Sequence, residues 1–260
     1  MIRWYDIGVN LFSSSFRDPF QIYEDSRNAG VLCILTGSDM EENRKIKAFT
    51  QEHKAYGTMG IHPHNADGAR LADLEWMEKE IGGSDHIIAV GECGLDYDRM
   101  FSTRENQVFC LEKHIGIAER VHKPMFLHER CAIEDFVRIF SEHPEVCRRS
   151  VVHCFTEGPD VLERLLSMGF MIGITGWICD DRRAGELREA VKLLPLQRVM
   201  IETDAPYLTP KNVPGLKRTN VPANIQYVAE TLAEYMGIAA DELEKHAKAN
   251  TERFFGLNDE

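Results

Sequence analysis

The sequence predicts an α/β chain folded as a single (β/α)8 barrel of the TIM type. Three observations predict it. Short apolar runs rich in branched residues alternate with helical patterns from end to end, giving eight strand–helix pairs. The length, 260 residues, is close to that of one such barrel. Several of the apolar runs end on a carboxylate or an imidazole, and the C-terminal strand ends are where this fold gathers its chemistry.

The elements follow in order. Arg3 to Asn10 is the first strand, and Phe16 to Asn28 a helix stopped by Gly30. Val31 to Thr36 is the second strand, closed by Gly37, with Glu41 to His53 helical after it. Tyr56 to Gly60 is a weaker third strand that runs into Ile61-His62-Pro63-His64, followed by a helix from Leu71 to Ile81 that Gly82-Gly83 ends. Ile87 to Asp96 opens as an unbroken apolar run, the pattern of a strand buried on both faces, and presents Glu92 at its tip. Thr103 to His122 is a long helix capped by Ser102 or Thr103, because a hydroxyl there accepts from an orphan backbone N–H.

Pro124 to His128 and Ser150 to His153 are the fifth and sixth strands, with Ile133 to Ser141 helical between them. Pro159 suits the first turn of a helix reaching Met168, since its missing N–H costs nothing there. Phe170 to Thr175 is the seventh strand, Ala184 to Leu194 helical, and Val199 to Thr203 the eighth strand. Helices over Pro222 to Met236 and Asp241 to Phe255 close the chain. The longest irregular stretch, Tyr207 to Val221, follows the last strand and is expected over the barrel mouth. An open doubly wound sheet is the alternative, but no GxGxxG or GxxxxGK[ST] loop is present to serve a nucleotide in one. No internal repeat or interdomain linker divides the chain, so residues 1–260 read as one domain.

A hydrophobic content of 43% supports a sizeable core and excludes intrinsic disorder. A net charge of -12 argues against a protein that holds nucleic acid through a broad basic surface, but not against an enzyme that grips one chain end. The seven cysteines form no CxxC pair and lie largely in apolar runs, as reduced thiols of a cytoplasmic protein do. An acidic residue at Asp6 comes too early for a signal-peptide core, and no apolar run is long enough to span a bilayer. No membrane and no obligate protein partner is expected.

In a barrel the strand ends would collect Asn10, His62, His64, Glu92, His128, His153 and Asp204. Imidazole nitrogens and carboxylate oxygens together suit a borderline-hard divalent ion such as Zn, Mn, Ni or Mg. One histidine at such a place is commonly a satisfied core residue. Six ionisable groups on successive strands are not, because burying them without a counter-ion is costly. A nucleophile from His153-Cys154 or Ser13-Ser14-Ser15 is disfavoured, since no G-x-S-x-G elbow exists and neighbours on a strand face opposite ways.

These residues carry a resemblance. Asp6-Ile7-Gly8-Val9-Asn10-Leu11, Gly60-Ile61-His62-Pro63-His64 and Ile88 to Asp96 resemble the TatD family of metal-dependent hydrolases, its deoxyribonuclease branch in particular. So do Pro124 to His128 with Arg130, Val152 to Thr156, Ile172 to Trp177, Ile201 to Leu208, Arg218 to Pro222 and Asn250-Thr251. The matches span nearly the whole chain in order. The resemblance implies a divalent-metal phosphodiesterase, with one or two ions of Mg, Mn or Zn, that trims single-stranded DNA, or RNA, from the 3′ end. It implies metal roles for Glu92, His128, His153 and Asp204. Most members carry two histidines on strand one; here Gly8 and Asn10 stand in their places, so a second ion is expected to bind weakly.

On that reading Glu92 anchors the metal with His128 and His153, and Asp204 both binds metal and accepts a proton from water, acidified as in zinc enzymes. His62, His64, Arg130 and Arg218 are the expected phosphate contacts. Glu202 and Asn10 support the ligands. Trp177 is expected on the rim, either stacking on a terminal base for roughly 1–3 kcal/mol or packing as an apolar lid. Arg182 or Arg183 would meet the adjoining phosphate. Two other functions share the barrel: hydrolysis of another ester or amide, such as an aminoacyl–tRNA bond, and a catalytically silent binding role.

Overall fold

The computed structural model describes residues 2–257. Its eight strands are hydrogen-bonded in one sheet in sequence order: β1 (Trp4–Val9), β2 (Val31–Leu35), β3 (Tyr56–Met59), β4 (Ile87–Asp96), β5 (Met125–Arg130), β6 (Ser150–Val152), β7 (Met171–Ile174) and β8 (Val199–Ile201). The alternating helices are α1 (Pro19–Asn28), α2 (Met40–His53), α3 (Leu71–Gly82), α4 (Arg104–Val121), α5 (Ile133–Phe140), α6 (Pro144–Cys147), α7 (Pro159–Met168), α8 (Gly185–Ala190), α9 (Ile225–Met236) and α10 (Ala240–Phe255). Parallel strands in sequence order with helical crossovers are the topology of the (β/α)8 barrel. Among the described residues, no helix is long and apolar enough to cross a membrane.

Contacts group the chain into two compact units. One comprises residues 35–153 and 168–170, and so holds β3 to β6 with α2 to α6. Its strands pair in parallel, Gly57 with Ile87 on one side of β4 and Gly94 with His128 on the other. β4 is buried over all ten residues, as its unbroken apolar run requires. Behind β5, Phe136, Phe140 and Phe170 stack with centroids 4.7 to 5.7 Å apart. In the other unit β7 and β8 pair in parallel, and Val9 at the end of β1 bridges to Ala205 just beyond β8.

Several boundaries differ from the sequence reading, each for a local reason. β4 does not stop at Glu92 but continues to Asp96, because Cys93 to Asp96 stay in register with Leu127 to Arg130 of β5. Thr103, not Ser102, caps α4, its hydroxyl accepting from Asn106 N–H; Ser102 donates instead to the carbonyl of His64. The stretch read as one helix from Ala184 is α8 followed by a 3-10 turn over Val191–Leu193. Pro222 opens a 3-10 turn rather than α9 itself. Short helical turns at Pro63–Gly68, α6 and Gly176–Cys179 have too few residues to show a period.

Candidate metal centre

The unit built on β3 to β6 delivers five of the expected side chains to one place. His62 follows β3 as the cap of the 3-10 turn at Pro63–Gly68. Glu92 and His128 lie within β4 and β5, and His153 one residue past β6. The three imidazoles converge on a single oxygen. His153 Nε2 lies 2.8 Å from Glu92 Oε1, and His62 Nε2 and His128 Nδ1 each lie 3.1 Å from it.

Gly94 makes the close approach of β4 and β5 possible. Its φ is +151°, and a Cβ there would stand 1.8 Å from the carbonyl oxygen of His128, so no L side chain fits. The strand that carries Glu92 is thereby drawn against the strand that carries His128.

The charges follow from this packing. Burial alone would raise the Glu92 carboxyl, but His153, His62 and His128 around it hold it well below the usual carboxylate range. Burial pulls His128 down, yet the Asp96 and Glu92 carboxylates that face it more than offset this and raise it. His62 is brought down to about 4, chiefly by burial. Its Nδ1 accepts from the backbone N–H of His64 at 3.1 Å, so Nε2 carries the proton that points at Glu92. By distance His62, Glu92 and His128 form a ligand set, with donor atoms all within 4.8 Å. By hydrogen bonding His62 is a donor, and that assignment is the firmer one because its other nitrogen is already committed.

Asp96 also faces this cluster. Its Oδ2 lies 2.7 Å from His64 Nε2 and 3.4 Å from His128 Nε2. The second contact makes no hydrogen bond, and His128 Nε2 is buried without one. Asp96 Oδ1 accepts from the N–H groups of Asp98 and Arg99, and with the histidines these hold its carboxyl far down despite burial. Arg130, expected at a phosphate, pairs with Asp98 at 3.0 Å.

The other unit holds the remaining expected residues. The three residues after β8 are each tied down. Glu202 Oε1 accepts from Cys154 N–H at 2.6 Å, Thr203 N–H donates to buried Asp6 at 2.8 Å, and Asn10 Nδ2 donates to Asp204 Oδ1 at 2.8 Å. Asp204 has φ +55°, a left-handed conformation in which aspartate is among the few tolerated residues. Burial pushes the Asp6 carboxyl well up. Trp177 lies in the 3-10 turn, half-buried, with the Arg183 guanidinium 4.0 Å over its ring and Arg183 also paired to Asp180 at 2.8 Å. Arg218 is exposed.

A family model described as TatD related DNase matches residues 5–256. The chain belongs to this family. A protein from Erwinia amylovora named 3′-5′ ssDNA/RNA exonuclease TatD is 37% identical over 259 residues, covering 97% of this chain and 100% of that protein. One of the same name from Klebsiella pneumoniae is 35% identical, covering 98% of each. The crystal structure of a TatD homologue from Escherichia coli superposes with a TM-score of 0.90 at 26% identity, covering 98% of this chain and 99% of that one. TatD membership and the His/Glu/His set together imply a metal-dependent hydrolase.

Sequence reasoning singled out the histidines and Glu92 but not the residues that hold them. Asp96 carried a signal, since it follows Glu92 by four residues, and a period of two puts both on one strand face. Gln107 and His114 carried none that composition could show. Gln107 Oε1 accepts from Asp96 N–H at 2.8 Å, and His114 Nε2 accepts from Ile61 N–H at 3.1 Å.

Proposed function

We propose that the protein is a metal-dependent exonuclease that hydrolyses single-stranded DNA, and RNA, from the 3′ end. The convergence of three imidazoles on Glu92 Oε1, in a chain so similar to proteins named for that activity, carries the reading. The residues suit a divalent ion: imidazole nitrogens and a buried carboxylate oxygen lie together as donors. Glu92, His128 and His153 would hold a first ion, and Asp204 would serve a weaker second. A divalent cation there supplies Lewis acidity towards a phosphate oxygen and makes water a better nucleophile at neutral pH.

The chain's own residues do the rest. Glu92 is ionised at neutral pH, because the histidines hold its carboxyl low. Asp204 takes the proton from attacking water, its carboxylate oriented by Asn10. Glu202, fixed on Cys154 N–H, steadies the same loop. His62, neutral above pH of about 4, offers a hydrogen bond to a phosphate oxygen without contributing a full charge. Arg130 and Arg218 are the charged phosphate contacts, Arg130 by exchanging Asp98 for the substrate. Seven cysteines left as free thiols, most of them buried, suit the cytoplasm.

End-labelled single- and double-stranded DNA and RNA, mischarged tRNA and chromogenic esters, each with Mg, Mn and Zn, test this directly. The expected result is a ladder that shortens from the 3′ end of single strands. Turnover of mischarged tRNA or simple esters with no shortening of any strand would replace the reading by another hydrolase.

A further inference from the structure

The loop that joins β4 to α4 presents an aromatic ring to solvent. Phe101 is 67% exposed, the most exposed large hydrophobic side chain among the described residues. Its ring meets that of His64 edge-on at 4.8 Å, and His64 in turn holds Asp96 at 2.7 Å beside the His/Glu cluster. An exposed phenylalanine on a floppy loop needs no explanation. This loop is not floppy.

The loop is fixed on both sides of Phe101. Asp96 Oδ1 binds the N–H groups of Asp98 and Arg99 at 3.0 and 2.8 Å. Ser102 Oγ donates to the His64 carbonyl at 2.9 Å, and the Ser102 carbonyl accepts from Gln107 Nε2 at 2.9 Å. Between these anchors Met100 takes φ +51°, a left-handed conformation unfavourable for a non-glycine residue. Hydrogen bonds and local strain thus hold a ring outward that burial would otherwise draw in. The two anchors, Asp96 and His64, belong to the candidate centre itself.

Phe101 borders a recess of about 450 Å³ whose wall also includes Met40, Asn65 and three carboxylates, Asp39, Asp67 and Asp73. Of the two basic side chains there, Arg70 is paired to Asp73 through two bonds of 2.7 and 2.8 Å and His64 to Asp96. Such a wall repels phosphate and accepts a flat uncharged group. Trp177, the ring expected to stack on substrate, has Arg183 over it already. We propose that Phe101 is a stacking platform for a nucleobase of the single strand bound at the centre, with the recess receiving the base and excluding its phosphate. The inference rests on the nuclease reading and deepens its preference for single strands, since a base inside a duplex is stacked on both faces and must leave the stack to lie on the ring.

The test compares wild type, Phe101→Ala and Phe101→Trp on a labelled single strand and on strands carrying one abasic nucleotide at each of the last three positions. KM and kcat are read with metal, and Kd by anisotropy with metal removed. Phe101→Ala should raise KM and Kd on the intact strand by roughly 5- to 150-fold, the range of one base stacked on an aromatic. The melting temperature should be unchanged, and Phe101→Trp should restore affinity. At one abasic position the difference between wild type and Phe101→Ala should vanish, naming the stacked base. Equal constants for wild type and Phe101→Ala on the intact strand, or the same loss on every abasic strand, overturn the platform. Wild type that cleaves no strand overturns the nuclease reading instead, and the Kd ratio still decides the platform.

Discussion

Glu92 Oε1 is shared by three imidazoles, so its charge is the one the site is built on. Glu92→Gln should abolish metal-dependent hydrolysis with little change in melting temperature; turnover near wild type would remove Glu92 from the centre. Asp96 acts one step away, facing His128 Nε2 at 3.4 Å while Nδ1 faces Glu92. Removing such a partner typically weakens metal binding by about 10- to 100-fold. Asp96→Asn should do so in calorimetry of metal-free protein, since its amide still accepts from Asp98 and Arg99 but no longer carries charge towards both histidines. The same titration on wild type should show one tight ion, because Gly8 and Asn10 offer no imidazole to a second. Glu92, His128 and His153 were legible in the sequence because each closes or interrupts an apolar run with a group that burial penalises. Asp96 was hidden by the assumption that the strand ended at Glu92. The outward Phe101 was hidden because nothing in sequence distinguishes a pinned loop from a loose one.

Helix α4 works at the scale of an element. Gln107 and His114, two turns apart on its buried face, peg the backbone at Asp96 and at Ile61, beside His62. His114 Nδ1 lies 2.7 Å from the Cys110 carbonyl, which can only accept, so Nδ1 carries the proton and Nε2 is bare for Ile61 N–H. The ring must therefore be neutral, and burial brings it down to about 4. With a folded pKa below the unfolded value of 6.5, its stabilisation is complete above pH 6.5 and is lost as pH falls towards 4, at about 1.4 kcal/mol per unit. His114→Gln, which keeps an acceptor for Ile61, should lose about 2 kcal/mol less than wild type between pH 7 and pH 5 in urea unfolding. His114→Leu should flatten the pH response too, but cost about 1–3 kcal/mol at neutral pH through the unpaired N–H. An unchanged pH slope in both would mean that the ring titrates freely. Gly94→Ala should cost roughly 2–4 kcal/mol, since its Cβ meets a backbone oxygen that cannot move aside. The strands were legible from apolar runs and punctuating glycines. The turns at Pro63–Gly68 and Gly176–Cys179 were not, being fixed by single caps such as His62 and Thr175 rather than by a period.

At the scale of the molecule, a net charge of -12 must be reconciled with a polyanionic substrate. Electrostatic attraction over the whole surface is unfavourable, so binding has to come from the metal, from a few local cations and from base stacking. The arginines bear this out. Arg3, Arg70, Arg120, Arg138, Arg148, Arg183 and Arg188 each pair with a carboxylate of the protein itself. Such cations are largely neutralised and release no counterions when a strand binds. The logarithm of affinity for a single strand should therefore fall with the logarithm of salt at a slope no steeper than about -2, the value for roughly three phosphates. Anisotropy titrations on one oligonucleotide across a salt series measure it. A slope near -4, about six phosphates, would mean that these pairs open to form a basic track. A shallow slope that leaves the Phe101→Ala deficit intact at high salt would place the discrimination in stacking, which salt screens little.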